Sequence, residues 1–130
     1  MSIEIRRSID VEDAVRLALT DHLAVYCRPL PADYALPHIL VTQVGGSDAN
    51  GIDTFEITLD SRAETEAEAL EYLRNAVGVL RAKAGDQGTQ IRHVEVNSSG
   101  SWGTDPVRPD LAMCSARLTV IAHLEKITIN

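Results

Sequence analysis

The chain has few aromatic residues and few basic residues. Phenylalanine, tryptophan and tyrosine make up 4% of its 130 residues, which leaves few side chains on which nucleic-acid bases could stack. Lysine and arginine number 12 against 19 aspartates and glutamates, so the net charge is −7. Tight binding to a phosphate backbone requires a basic face. These two shortages therefore count against a nucleic-acid-binding protein.

Long apolar runs are missing as well. No stretch approaches the roughly 18 apolar residues that a membrane-spanning helix requires. Arg6 and Arg7 precede an acidic segment instead of an apolar one, so the pattern of a secretory signal peptide is absent. We expect no membrane partner and a chain that is intracellular when made.

Patterns for metal, nucleotide and nucleophilic chemistry are not found. Cys27 and Cys114 form no CxxC pair and indicate free thiols in a reducing compartment. The four histidines include no HExxH motif, and no GK[ST] follows the Gly45-Gly46 pair. The serine-rich stretch before Trp102 lacks the glycine spacing of a nucleophile elbow. We therefore expect no cofactor, no metal and no catalytic residue, and hence no enzyme.

The clearest pattern that is present predicts a long helix from about Thr65 to Ala84. Its apolar residues recur in alternating steps of three and four, the period of one helix face, and they are Ala63, Ala67, Leu70, Leu73, Val77, Leu80 and Ala84. Thr65 and Glu68 form a capping box, and Gly85 permits a left-handed stop. Leu70, Leu73, Val77 and Leu80 are expected to form the buried stripe.

Two strands are predicted just before this helix. Ile39 to Val44 is a nearly continuous apolar run, whereas Asp53 to Asp60 alternates between apolar and polar residues, as in a strand with one buried face. The segment from Gly45 to Ile52 contains Gly-Gly and Asn-Gly and is too long for a two-residue hairpin. It predicts a mobile loop.

The remaining segments predict one more helix, two more strands and their connectors. The helix runs from about Val11 to Val25 behind the N-cap Asp10. The other expectations are a frayed arm over Met1 to Ser8, a proline-rich connector over Arg28 to Pro37, a strand over Ile91 to Asn97, a loop over Ser98 to Asp110, and a long strand or bent strand pair over Met113 to Ile129.

These elements predict one α+β domain over residues 1–130. A mainly antiparallel sheet of four or five strands carries two helices packed on one face, because the connections are too short for many βαβ crossovers.

Seven residues in the two predicted loops are candidates for contacts with partner proteins. They are Gly45, Gly46, Asp48, Asn50, Trp102, Asp105 and Arg108. A large aromatic residue on a polar loop is often an interface anchor, although Trp102 could also pack on its own domain. The final strand from Ala116 to Ile127 would be an aggregation hazard as a bare edge, and a neighbouring subunit would cover it.

The layout resembles that of a known family. The pieces that carry the resemblance are the acidic first helix, the proline-rich connector, the strand Leu-Pro-His-Ile-Leu-Val-Thr-Gln-Val-Gly-Gly that ends at Gly46, and the strand–helix unit from Asp53 to Ala84. An extended segment, a Gly/Pro loop and a final strand follow. From about Asp10 to Lys126 the chain is similar to the tail terminator proteins (tail completion or head–tail joining proteins) of long-tailed bacteriophages.

The resemblance implies a structural role. Such proteins form a six-membered ring that caps the tail tube and presents a surface to the head-completion or connector protein. DNA passes through the ring without specific binding, and the family has no catalytic residues to carry over. The implied location is the tail end of the virion, after synthesis in the bacterial host cytoplasm.

Two readings from other classes remain open at this point. One is a small α+β ligand-binding or enzymatic domain with a pocket between helix and sheet, which needs convergent polar groups in a cleft. The other is a toxin–antitoxin or chaperone-like adaptor. The sequence supplies no convergent polar set, and gene neighbours encoding capsid and tube proteins would favour the phage reading.

Overall fold

A computed structural model describes all 130 residues and contains seven strands and two helices. In chain order these are β1 (Ile3–Arg7), α1 (Val11–Leu19), β2 (Val25–Cys27), β3 (His38–Ala49), β4 (Ile52–Ala63), α2 (Glu66–Lys83), β5 (Ile91–Thr104), β6 (Ala112–His123) and β7 (Glu125–Ile129). Neither helix combines the length and apolar character needed to cross a bilayer.

The strands form one large sheet and one small one. The five-stranded sheet has the order β2-β3-β4-β6-β5, in which only the short β2–β3 pair is parallel. Strands β1 and β7 form a separate antiparallel pair. The expected α+β class with a mainly antiparallel sheet is therefore confirmed.

Both helices cover the same face of the large sheet. Alternate residues of β4, including Phe55, Ile57 and Leu59, are buried, as alternation along a half-covered strand requires. They belong to one cluster of 25 buried residues that also includes the inner faces of α1 and α2. The opposite face carries polar side chains, and two of its cross-strand hydrogen bonds are Ser115 to Asp60 and Thr119 to Glu56.

The long helix is confirmed, but one residue of its predicted stripe is wrong. Thr65 caps the helix by accepting from the Glu68 N–H at 3.2 Å. The buried face consists of Ala69, Leu73, Ala76, Val77 and Leu80, whereas Leu70 is 37% exposed. Ser61 donates to the Ala69 carbonyl at 2.8 Å, so the helix approaches the sheet along its alanines. Ala69 and Leu70 are both apolar, so the sequence does not show which of them faces the sheet. The contact between Ser61 and Ala69 shows that it is Ala69.

The first helix ends earlier than predicted. It runs from Val11 to Leu19, and Val25–Cys27 forms the edge strand β2 instead of a last helical turn. The Tyr72 hydroxyl of α2 accepts from the Ala24 N–H, and the Ala24 carbonyl accepts from Ile39 of β3. These two long-range hydrogen bonds place the segment alongside β3, which local helix propensity cannot anticipate.

The predicted loop from Gly45 to Ile52 is wrong, because β3 and β4 continue through it. Only Asn50 and Gly51 form the turn, and both have positive φ, of 56° and 78°. A two-residue turn of this kind matches the twist of paired strands. The register shifts between Gln43 and Gly45, where the Gln43 N–H donates to the Glu12 carboxylate at 2.8 Å. The extra residue of the bulge shifts the pairing of β3 with β4 by one position, so that two residues, Asn50 and Gly51, remain for the turn.

The predicted loop from Ser98 to Asp110 is also largely strand. Strand β5 continues to Thr104, and three register shifts interrupt its pairing with β6. These bulges explain why the sequence of β5 does not alternate cleanly, since each one exchanges the inward and outward faces. Strand β6 lies between β4 and β5, so the expectation that the final strand could be a bare edge is wrong.

The chain termini form a two-stranded ribbon. The sequence predicts a frayed arm over Met1 to Ser8, but Ile3–Arg7 pairs along its whole length with β7. Of the two alternatives predicted over Met113 to Ile129, a long strand or a bent strand pair, the structure has two strands, because Leu124 separates β6 from β7. The partners β1 and β7 are more than 100 residues apart in sequence, and such pairing leaves no local pattern.

The core assignment of α2 can be tested with two leucines of the same helix. Leu73 is fully buried, so Leu73→Ala should lower the free energy of unfolding by about 2–5 kcal/mol, the range for a cavity left by a buried leucine. Leu70→Ala is the matched control and should cost less, because more than a third of Leu70 is exposed. Urea unfolding of both variants measures the difference. Equal losses would show that the helix phase is wrong.

Candidate interface surfaces

The seven candidate residues lie at opposite ends of the large sheet. Asp48 pairs with Asp53 of β4 near the β3–β4 turn, while Trp102 lies across β6 from Ser61, near the other end of β4. Asp53 and Ser61 are separated by roughly 26 Å, at about 3.3 Å per residue of strand. The structure therefore forms two surfaces instead of one site.

The hairpin surface consists of Val44 to Ile52 at the β3–β4 turn. Its candidate residues Gly46, Asp48 and Asn50 are exposed, and Gly45 is half-buried. Exposed apolar side chains accompany them, since Val44 is 49% and Ile52 43% exposed. A Cβ atom at Gly46 would approach the Thr54 carbonyl oxygen to 3.0 Å, so close strand packing accounts for this glycine.

The Trp102 surface lies at the opposite end of the sheet. We define it as the depression of about 370 Å³ lined by Trp102, Met113, Pro109, Glu64 and Glu66, among others. The Trp102 side chain is 49% exposed, so about half of it is covered by its own domain and half is open to solvent. Val107, in the adjoining loop, is 83% exposed. The two glutamates are exposed and lie near the start of α2.

Asp105 is buried in the segment that follows Trp102 instead of facing outward. Its carboxylate accepts from Arg62 Nε at 2.7 Å and from the N–H groups of Val107 and Arg108 at 2.9 and 3.1 Å. These bonds fix the loop that joins β5 to β6. Sequence reasoning missed Arg62 because it lies beyond Asp60, where the predicted strand ends, and its partner is 43 residues away in the chain.

The pKa values of the carboxylates in this loop depend on their hydrogen bonds and ion pairs. Burial by itself would raise the pKa of Asp105, but the N–H groups of Val107 and Arg108 and the Arg62 guanidinium outweigh burial and lower that pKa. On the surface above, Arg108 pairs with Asp110 at 2.8 Å, and this contact lowers the pKa of Asp110. Arg108 is thus exposed but already engaged within its own loop.

His38 lies fully buried next to Arg62 in the β3–β4 register. Its ring packs edge-on against Tyr26 and Tyr34, with centroids 5.4 and 4.9 Å away. Its Nδ1 lies 2.8 Å from the Ala35 carbonyl oxygen, and its Nε2 has no hydrogen-bond partner. Burial lowers the pKa of His38, against the hydrogen bond to Ala35. This packing makes His38 part of the support under the connector between β2 and β3.

Another depression lies elsewhere, between the C-terminal ends of α1 and α2. It measures about 490 Å³, and its lining includes Leu17, Asp21, Lys83 and Gln90. None of the buried polar side chains (His38, Asp53, Ser61, Arg62 and Asp105) lines it. No group of three or more His, Cys, Asp or Glu side chains is placed to hold a metal ion.

Comparison with models of known protein families and with curated proteins gives no match for this chain.

The buried ion pair under the Trp102 surface can be tested by Asp105→Asn. This change leaves the Arg62 charge buried without its counter-charge, which typically costs about 3–5 kcal/mol of unfolding free energy. Because the pKa of Asp105 is lowered by folding, its contribution is present above the usual aspartate pKa of about 4 and is lost as the pH falls further. The difference in unfolding free energy between the wild type and Asp105→Asn should therefore become smaller below about pH 4.

Asp110→Asn is the matched control for this prediction, since Asp110 also pairs with an arginine but is exposed. Its effect on urea unfolding should be small. A loss as large as that of Asp105→Asn would contradict the assigned role of the buried pair.

His38 should make the stability depend on pH in a second, higher window. Folding lowers its pKa, so the unfolded chain binds the proton more readily, and stability is lost as the pH falls from about 7 through the usual histidine pKa of about 6.5. His38→Phe retains an aromatic ring without a titrating group and should flatten the unfolding free energy between about pH 7 and pH 5. A His38→Phe variant that keeps the wild-type slope over this range would contradict the assignment.

Proposed function

We propose that the chain is a structural protein of a long-tailed bacteriophage. In this proposal it forms a ring, a hexamer by resemblance, that caps the tail tube, ends tail polymerisation and provides the surface for head–tail joining. Its partners are further copies of itself, the tail tube protein and a head-completion or connector protein. It acts at the tail end of the virion without catalysis, cofactor or metal.

One observation carries the proposal beyond the resemblance. Exposed apolar side chains lie at both ends of one long sheet, Val44 and Ile52 at the hairpin surface and Trp102 and Val107 at the other end. Exposed apolar residues grouped together are typical of protein–protein contact sites. Two different surfaces at opposite ends favour head-to-tail association, which closes into a ring when the rotation between subunits permits.

The charge of the chain is compatible with a ring through which DNA moves. The net charge is −7, and the open face of the large sheet carries Glu56 and Asp60 among its polar residues. Acidic groups repel a phosphate backbone, so DNA would pass without being retained. The proposal therefore assigns DNA as cargo of the lumen, without specific binding.

The alternative, a small ligand-binding or enzymatic domain, has one observation in its favour. The depression between α1 and α2 is large enough for a small ligand, at about 490 Å³. However, its lining contains none of the buried polar side chains, which an active site would be expected to gather. This separation favours the structural reading.

Deletion of the gene from the phage or prophage genome that encodes it tests the proposal. Electron microscopy of the particles should show tails of abnormal length and heads without attached tails, because the tube lacks its cap. The wild-type gene supplied in trans should restore normal joined particles. Tails of normal length that join heads without this protein would overturn the proposal.

A further inference from the structure

Asp53 is a buried carboxylate to which the chain supplies no counter-charge. It lies near the start of β4, and only 2% of its surface is exposed. Its Oδ2 atom accepts no hydrogen bond, and its side chain forms no ion pair with a lysine, arginine or histidine. Burial of a charged group is costly unless the group is paired and hydrogen-bonded. This cost at a single position indicates a function that requires the carboxylate.

The strand register places a second carboxylate opposite the first. Asp48 of β3 is the direct cross-strand partner of Asp53. Residues directly opposite each other in an antiparallel pair share a face, with Cβ atoms about 4.5–5.5 Å apart, and like charges in this position destabilise the pair. On its other side Asp53 pairs with Ala122 of β6, which has no side-chain donor. The pairing therefore favours a cation that binds both aspartates.

Both aspartates line one depression, which we call the Asp53 depression. It measures about 390 Å³, and its other lining residues are Ser8, Ile9, Gln43, Gly46, Ser47 and Phe55. Gly46 lies opposite Phe55, and a Cβ atom there would lie 3.5 Å from the Phe55 ring, so the glycine leaves this side of the depression free of a side chain. The lining thus combines two carboxylates and two hydroxyl groups with the apolar side chains of Ile9 and Phe55.

A guanidinium group matches this lining better than other cations do. It carries five N–H donors in a rigid planar fork, so it can bind two carboxylates and a hydroxyl group at the same time. A lysine ammonium group has three donors around a compact charge. A Ca²⁺ ion takes six to eight oxygen ligands, whereas no third acidic, histidine or cysteine side chain joins the two aspartates.

We propose that the Asp53 depression binds an arginine side chain of a partner protein. The guanidinium group donates to the carboxylates of Asp53 and Asp48 and to the Ser8 hydroxyl, while its alkyl stem packs against Ile9. The exposed residues Gly46, Ser47 and Asp48 form the rim, so a protein chain can pass over the depression and insert one side chain. The site does not depend on the proposed ring, because its ligand follows from the two aspartates.

An NMR titration of the ¹⁵N-labelled full-length chain tests the site. The probe is N-acetyl-L-arginine amide, whose blocked ends imitate an arginine within a protein chain. The amide signals of Ser8, Asp48 and Asp53 should shift in a saturable way, and N-acetyl-L-lysine amide should bind more weakly. Binding should weaken as salt is raised, because the contact joins opposite charges.

Substitution of the aspartates should remove the binding. Asp53→Asn and Asp48→Asn should each bind the arginine probe at least about tenfold more weakly, because hydrogen bonds between charged groups are the strong ones. Asp48 is exposed, so its variant tests the site without a change in the core. Asp33→Asn is the matched control, since Asp33 is exposed, lies outside the depression and gives the same change in net charge. It should bind the probe as the wild type does.

Thermal unfolding distinguishes a binding role of Asp53 from a structural one. Asp53→Asn removes a like-charge pair, so it should unfold at the wild-type temperature or above it. A lower unfolding temperature would show that Asp53 stabilises the fold, and it would overturn the proposal.

Three results of the titration would also overturn the proposal. These are the absence of saturable shifts in the wild type, unchanged binding by both aspartate variants, and equal binding of the lysine probe. Free L-arginine that binds about tenfold more tightly than the blocked probe would assign the site to a free amino acid instead of a protein side chain. The ring function is decided separately, by tail length in the deletion mutant.

Discussion

The structure depends on the packing of α2 against β4 and β6. Strand β4 lies at the centre of the large sheet, with β3 on one side and β6 on the other, and α2 spans these strands on one face. Leu73 and Leu80 of the helix are almost fully buried and belong to the same core cluster as Ile57, Leu59 and Leu118. Burial of a single leucine contributes about 1.5–3 kcal/mol, so this contact accounts for a large part of a typical folding free energy.

The length of the sheet has a consequence for the positions of the candidate surfaces. Strands β3, β4 and β6 each contain 12 residues, longer than most strands. The two ends of the large sheet therefore lie far apart. The hairpin surface and the ribbon lie at one end and the Trp102 surface at the other, a division that suits contacts with two different neighbours.

The buried polar groups are concentrated at the Trp102 end. Arg62, Asp105 and His38 are all buried there, and Arg62 Nη1 and His38 Nε2 have no hydrogen-bond partner. Asp105 fixes the loop next to the exposed Trp102, since it binds the N–H groups that begin the turn. These bonds hold the loop between β5 and β6 in one conformation.

The sequence by itself determined the α+β class, the long capped helix and the alternating strand β4, and it left a long strand or a bent strand pair as alternatives for β6–β7. These features follow from local periodicity and capping, which depend only on residues within one segment of the chain. It also pointed to Trp102 as a candidate contact residue, because a lone tryptophan in a polar stretch is conspicuous.

Only the tertiary structure decided the remaining features, because they depend on residues that are distant in the chain. The strand β2 exists because Tyr72 and β3 hold it, and the ribbon exists because the two termini pair. The same holds for Arg62 and Asp105, whose contact spans 43 residues. Bulges in β3 and β5 shift the alternation that a sequence pattern relies on, so strands that contain them resemble loops when the sequence is read alone.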